Sequence, residues 1–231
     1  MPPFATTRWS LIESTRDVPD VARVALEQLC RDYRPPVLAF VRRSGYSPAD
    51  ADDLTQEFFA DFIERGWYTH ADPARGRFRA LLLTALRRFL SAQRAREHAL
   101  KRGGGLHAIE LDEAIAGTDQ GPEQAFARSW VLTVLDHAVQ RLREEWLLAG
   151  KSDQFDRLIE YIDGGADDEG FRTLAQHLQV RRNTLSVQLH RMRQRLRELV
   201  RIELMQTVGS HEALAQELAE LRDAAGLTLG D

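Results

Sequence analysis

Residues 173–199 read TLAQHLQVRRNTLSVQLHRMRQRLREL, which is the pattern of two helices joined by a tight turn. Leu174, Ala175 and Leu178 predict the inner face of the first helix, with Val180 packing in the turn. The second helix has an apolar stripe at spacings of three and four, formed by Leu185, Leu189, Met192, Leu196 and Leu199. A helix-turn-helix places the N-terminus of its second helix in the major groove, so this stretch predicts a DNA-binding surface.

The other face of the second helix is polar and basic. Arginine can chelate guanine and asparagine can chelate adenine, while further arginines neutralise phosphates. The predicted contacts are Arg181, Arg182, Asn183, Thr184, Ser186, Val187, His190 and Arg191. A solvated basic face on an ordinary helical hairpin is the alternative interpretation.

Helical periodicity extends over most of the 231 residues, and no run of alternating β-branched residues predicts a strand. We therefore expect an all-α protein with two helical domains joined by a flexible linker, the second containing the helix-turn-helix. Pro35-Pro36 predicts a break between two helices, and Ser47-Pro48 predicts the start of the next one. The expected limits are an N-terminal extension over 1–24, a first domain over 25–102, a linker over 103–122, a second domain over 123–205 and a C-terminal helical extension over 206–231.

The composition argues against several function classes. No apolar run reaches the roughly 18 residues of a membrane span, and no signal pattern begins the chain, so we expect a soluble cytoplasmic protein without a membrane partner. Cys30 is the only cysteine and is predicted to be a buried, inert thiol. The 7 histidines lack metal-ligand spacing, and neither a phosphate-cradling loop nor a nucleophile motif is present. We expect no metal, no cofactor and no enzymatic activity; a nucleic-acid hydrolase is the rival of this class.

Charge is sorted along the chain, although the net charge is only −4. Every charged residue over 49–64 is acidic, whereas Glu97 is the only acid over 77–102 and Glu198 the only acid over 172–201. This alternation predicts at least two different partners, one of them anionic.

The acidic stretch predicts a helix with two stripes. Its carboxylates are Asp50, Asp53, Glu57, Asp61 and Glu64, and its apolar stripe is Ala51, Leu54, Phe58 and Phe62. Phe59 and Ile63 lie on a third face and are expected to be partly exposed. Because like charges on one helix repel each other, a basic protein partner is expected; a solvated acidic face is the alternative.

The basic stretch predicts a long helix over 78–101 with an apolar side at Leu82, Leu86, Phe89 and Leu90. Its predicted DNA contacts are Arg87, Arg88, Ser91 and Arg94, preceded by Arg75, Arg77, Phe78 and Arg79. The aromatic ring of Phe78 is expected to receive a flipped base. A solvated or nonspecifically binding face is the alternative.

These elements, in this order, resemble the sigma factors of the extracytoplasmic-function type. YSPADADDLTQEFF over 46–59 resembles the family's acidic segment, DPARGRFRALL over 72–82 its promoter-melting segment, and 173–199 its second DNA-reading domain. The resemblance implies that core RNA polymerase is bound through its β′ clamp helices and β flap, and that promoter DNA is read at the −10 and −35 elements. The implied clamp contacts are Asp50, Asp53, Gln56, Glu57, Phe59 and Asp61, and the two basic surfaces defined above would read −10 and −35. A stand-alone helix-turn-helix regulator is the alternative function.

Two departures from the family pattern carry further expectations. Gln179 stands where glycine is common in the turn, so a distorted turn is expected. TTRWSLI over 6–12, together with DLTQEFF over 53–59, resembles a subgroup associated with serine/threonine kinases. Thr55 is then the candidate phosphorylation site, with a buried spacer as the alternative, and a kinase or an anti-sigma factor is the implied regulatory partner.

Overall fold

The computed structural model describes residues 14, 19–71, 78–104, 121–162, 168–205, 208, 212 and 214–219. These residues form helices and turns without a strand, which confirms the all-α prediction. The helices are α1 (Pro19–Arg43), α2 (Pro48–Glu64), a 3₁₀ turn (Trp67–His70), α3 (Phe78–Gly104), α4 (Pro122–Leu148), α5 (Ser152–Ile159), α6 (Asp168–His177) and α7 (Arg182–Met205). Residues 214–219, named here the C-terminal segment, are also helical. None of the described helices is both long enough and apolar enough to cross a membrane.

The described residues divide into two compact units. Unit 1 comprises those within 1–133 and 204–231, and unit 2 comprises those within 134–203. The division therefore falls inside α4, whereas the sequence prediction starts the second domain at residue 123. Trp130 explains the difference, because its ring belongs to unit 1 and stacks on Tyr33 with centroids 4.7 Å apart.

Helix α1 is continuous, and the predicted break at Pro35-Pro36 is wrong. Proline inside a helix removes a hydrogen bond and costs about 3 kcal/mol. Burial offsets this cost, because Tyr33, Val37 and Val41 on either side of the prolines are each at most 1% exposed. Tertiary packing thus overrides the local breaker.

Helix α2 begins as the sequence predicts, with Ser47 as N-cap and Pro48 in the first turn. The Ser47 hydroxyl accepts a hydrogen bond from the Asp50 amide at 3.2 Å and donates to the Asp50 carboxylate at 2.7 Å. Such a cap stabilises a helix by about 1 kcal/mol. The buried face of α2 consists of Ala51, Thr55, Phe58, Phe59 and Phe62.

An aromatic cluster holds α1, α2 and α3 together in unit 1. Phe58 contacts Phe62 and Phe89 edge-on or tilted, with centroids 5.7 and 5.6 Å apart. Phe78, at the start of α3, contacts Tyr33 at 5.2 Å and Phe62 at 6.3 Å. Such offset pairs add roughly 0.5–1.5 kcal/mol each beyond area burial. The cluster fixes the rotation of α2 and α3 about their axes and so decides which of their faces are exposed.

Unit 2 packs one hydrophobic core from four helices. Its buried residues are Ala138 and Leu142 of α4, Phe155 and Leu158 of α5, Leu174 and Ala175 of α6, and Leu185, Leu189, Met192 and Leu199 of α7. The apolar stripe predicted for 185–199 therefore faces the core, with Leu196 partly buried beside it. Helix α5 contributes directly to this core through Phe155 and Leu158.

The turn between α6 and α7 keeps a regular geometry despite the absence of glycine. The Gln179 amide donates to the Gln176 carbonyl and the Val180 amide to the Ala175 carbonyl, both at 3.0 Å. This is the paired pattern of a Schellman cap, in which the residue after the helix is left-handed. Gln179 adopts that conformation with φ of 52°. The turn is therefore not distorted as expected, but the backbone of Gln179 is strained because an L residue disfavours positive φ.

Candidate nucleic-acid and protein-binding surfaces

The acidic face of α2 is exposed where the sequence predicts it. Asp50, Asp53, Gln56 and Glu57 are all exposed, while Asp61 is partly buried and pairs with Arg65. Glu57 is 4.0 Å from Arg96 in an exposed and therefore weak ion pair. Asp53, Gln56 and Glu57 thus form the part of the predicted set best placed to meet a basic partner.

Asp52 differs from its neighbour Asp53 because α1 neutralises it. The guanidinium groups of Arg34 and Arg42 lie 2.7 and 3.4 Å from its two carboxylate oxygens. This pairing joins α2 to α1 and keeps Asp52 out of the exposed acidic face. Helical periodicity already sets Asp53, and not Asp52, on the acidic stripe, but it does not show that Asp52 pairs with arginines of α1.

Two residues of α2 that were predicted to be accessible are buried instead. Phe59, predicted as a partly exposed polymerase contact, is 7% exposed and packs edge-on against Phe58. Thr55, the candidate phosphorylation site, is 0% exposed, and its hydroxyl donates to the Ala51 carbonyl at 2.7 Å. Thr55 is the buried spacer of the alternative interpretation, because a kinase cannot reach a hydroxyl enclosed by the core.

The basic face of α3 is exposed at Arg87, Arg88, Ser91 and Arg94, as predicted. Arg87 pairs with Glu123 of α4 at 3.0 Å, with both side chains about half exposed. Arg94 donates to the Ser44 carbonyl at 3.0 Å. The described part of unit 1 therefore carries cations on one face of α3, some already in contact with protein acceptors.

Two other predicted DNA contacts, Phe78 and Arg79, are buried. Phe78 is 2% exposed within the aromatic cluster, so its ring cannot receive a base. Arg79 is 8% exposed and forms an ion pair with Glu217. The sequence predicted the start of the helix correctly but expected both side chains to face DNA, whereas both pack inward. Arg75 and Arg77 lie outside the described residues.

Among the described residues of unit 1, concavities lie on two sides of α3. A cleft of ≈ 540 Å³ lies beside Arg43, Arg87, Ser91, Arg94 and Glu123. A smaller pocket of ≈ 180 Å³ is lined by Trp67, His70, Leu81, Thr84, Ala85 and Arg88. The smaller pocket combines an indole, an imidazole and a guanidinium, groups that can stack on or hydrogen-bond to a nucleobase. Neither Trp67 nor His70 was predicted as a site residue, because their sequence neighbours carry no recognisable pattern.

The predicted DNA-reading face of α7 is exposed in full. The exposed residues are Arg181, Arg182, Asn183, Thr184, Ser186, Val187, His190 and Arg191. Val187 is the one apolar member of this set and is 49% exposed. The Arg182 guanidinium lies over the Phe171 ring at 5.9 Å from its centroid, which orients it at the start of the helix.

Two further arginines of α7 serve the protein itself. Arg193 donates to the Ile162 carbonyl at 2.8 Å and the Tyr161 carbonyl at 2.9 Å, which ties α7 to the turn that follows α5. Arg195 makes a bidentate pair with Glu145, with contacts of 2.9 and 2.6 Å, and holds the pKa of that carboxyl below its ordinary value. The cationic surface of α7 is therefore smaller than the arginine count of the sequence indicates.

Residues 29–99 match the family model of Sigma-70 region 2. This segment contains all of α2 and parts of α1 and α3, and so includes both the acidic and the basic face of unit 1. The match supports a sigma factor and indicates a role in promoter recognition and RNA polymerase binding. No curated protein and no solved structure matches the chain.

Proposed function

We propose that the protein is a sigma factor of the extracytoplasmic-function type that binds core RNA polymerase, recognises −35 and −10 promoter elements and promotes DNA melting. The match of residues 29–99 to Sigma-70 region 2 carries this proposal. The two charged faces of unit 1 support it, since an acidic surface suits a basic protein and a cationic surface suits DNA.

Polymerase docking is assigned to the exposed acidic face of α2. Asp53, Gln56 and Glu57 would meet basic groups of the β′ clamp helices, and charge complementarity would steer the encounter. Asp52 takes no direct part, because Arg34 and Arg42 already hold it.

The −10 element is assigned to α3 and the pocket beside it. Arg87, Arg88 and Arg94 would neutralise phosphates of the opened strand. An unstacked base would enter the pocket beside Trp67 and Arg88, in place of the contact with Phe78 expected from sequence. Capture of an unstacked base would hold the strands apart and so promote melting without a covalent step.

The −35 element is assigned to the exposed face of α7, which we interpret as the recognition helix of a helix-turn-helix. Arg181, Arg182 and Asn183 lie at its N-terminus, where such helices contact base edges. Unit 2 would also bind the β flap of the polymerase.

The decisive test is run-off transcription from a promoter library with purified core RNA polymerase, with and without the protein. We expect initiation at promoters that share a −35/−10 pair. Alanine at Arg181 and Asn183 should relax the sequence preference at −35 by about 1–3 kcal/mol per lost base contact. Arg201→Ala, an exposed change farther along α7, is the matched control and should leave that preference intact.

A stand-alone DNA-binding regulator is the second candidate, because the exposed face of α7 lies within unit 2 alone. This function requires tight sequence-specific binding by the free protein and no association with core polymerase. Copurification with core polymerase would exclude it. Control by a serine/threonine kinase or an anti-sigma factor is compatible with the sigma function, but it cannot act by phosphorylation of Thr55 in the folded protein.

A further inference from the structure

A buried ion pair joins the start of α3 to the C-terminal segment. Nη2 of Arg79 donates a hydrogen bond to Oε2 of Glu217 at 2.8 Å, and Nε lies 2.8 Å from Oε1 without forming a second hydrogen bond. The Arg79 side chain is 9% exposed and the Glu217 side chain 0% exposed. The two residues are 138 positions apart in the chain.

Arg79 is poorly placed for the stability of its own helix. It lies in the first turn of α3, where the helix dipole disfavours a cation, and that turn contains no acidic residue. A guanidinium taken out of water at this point has a large desolvation cost, and Glu217 supplies the compensating charge. The position of Arg79 therefore favours a function outside the helix, namely binding of an anion when Glu217 is withdrawn.

Buried ion pairs seldom stabilise a fold more than apolar residues of the same size would. They differ from apolar contacts in that another anion can replace one partner. A second carboxylate also pairs with an arginine of α3: Glu123 lies 3.0 Å from the exposed Arg87. Two α3 arginines predicted to bind DNA are thus held by carboxylates from later parts of the chain.

We infer that the C-terminal segment is an autoinhibitory element, in which Glu217 occupies Arg79 in place of a phosphate of promoter DNA. This inference rests on the proposed function. Displacement of the segment exposes Arg79 at the end of α3 nearest the smaller pocket and adds one phosphate contact to the −10 surface. In the closed state the protein binds DNA with reduced affinity, because only the open fraction has Arg79 available.

The test is binding of a fluorescent single-stranded oligonucleotide of random sequence, followed by anisotropy over a range of salt concentrations. Glu217→Gln should bind several-fold more tightly than the native protein, and its salt dependence should steepen by about 0.7 in the log–log slope, as expected for one added phosphate contact. Glu212→Gln removes the same charge from an exposed position of the C-terminal extension and should show neither change. Adding Arg79→Ala to Glu217→Gln should abolish the gain.

Equal affinities and slopes for Glu217→Gln and Glu212→Gln would overturn the inference. Hydrogen exchange on the native protein provides a second measurement that does not depend on the folding of a variant. Amides of residues 214–219 should lose protection when DNA saturates the protein, and unchanged protection would also overturn the inference. Binding to core polymerase, measured in parallel, separates failure of the autoinhibition hypothesis from failure of the proposed sigma function. If the variants bind polymerase but Glu217→Gln does not change DNA binding, only the autoinhibition hypothesis fails. If neither the native protein nor any variant binds polymerase, the proposed function itself is refuted.

Discussion

Replacement of Gln179 by glycine should stabilise unit 2, although it removes a side chain. Gln179 has φ of 52°, a conformation that costs an L residue about 1–2 kcal/mol and costs glycine essentially nothing. Greater freedom of glycine in the unfolded chain offsets about 0.5–1 kcal/mol of this gain. The Gln179 side chain is exposed, so no packing is lost, and the net increase in the free energy of unfolding should be about 0.5–1 kcal/mol.

Hydrogen exchange measured by mass spectrometry resolves this change for unit 2 alone. The slowest amides of α6 and α7, which exchange through unfolding of the whole unit, should slow by about threefold for each 0.6 kcal/mol gained. Gln179→Ala keeps a Cβ at positive φ and should give no gain. Gln176→Gly, one turn earlier and inside α6, should destabilise by up to about 1 kcal/mol. The reasoning is refuted if Gln179→Gly exchanges no more slowly than the native protein, or if Gln179→Ala stabilises equally.

Three further predictions concern unit 1. Replacing Asp53 and Glu57 together by lysine should weaken core polymerase binding by about tenfold or more, whereas the control Asp136→Lys on α4 should not weaken it. Equal affinities of the two variants in a fluorescence titration would count against α2 as the docking surface. Thr55→Glu should lower the free energy of unfolding by about 3 kcal/mol or more in a urea titration, because the substitution would bury an unpaired charge. A stable variant that binds polymerase more tightly would restore the phosphorylation hypothesis. Cys30, expected from the sequence to be buried, is only partly buried, but desolvation still raises the pKa of its thiol to about 11. Alkylation by iodoacetamide at pH 8 should therefore be at least about tenfold slower in the folded protein than in urea, and the rate in the folded protein should rise toward pH 11. Similar rates in the two states would show that the thiol is not desolvated.

Local sequence signals located the helices and their exposed faces. Ser47 and Pro48 predict the start of α2 correctly, since capping depends only on residues a few positions apart. The apolar stripe over 185–199 faces the core, and every predicted DNA contact of α7 is exposed, because on an amphipathic helix the buried stripe fixes the opposite face. Charge sorting likewise located one acidic and one basic helix in unit 1.

Tertiary structure decided the roles of individual residues on those helices. Hydrophobic periodicity predicts which side of a helix is buried, but the width of the buried side depends on how many neighbouring helices pack against it. Phe59 and Thr55 are buried for this reason, and packing against the core also keeps α1 continuous through Pro35-Pro36.

The ion pairs also could not be predicted from the sequence, because the paired residues are far apart in the chain. Asp52 and Asp53 are adjacent and chemically identical, yet only Asp52 meets Arg34 and Arg42. Arg79 meets Glu217 from 138 positions away. The sequence by itself determined an all-helical chain with separate acidic and basic helices, since these properties depend on local periodicity and composition. The tertiary structure alone decided which of those charges are exposed, because carboxylates and guanidinium groups find their partners only when distant helices pack together.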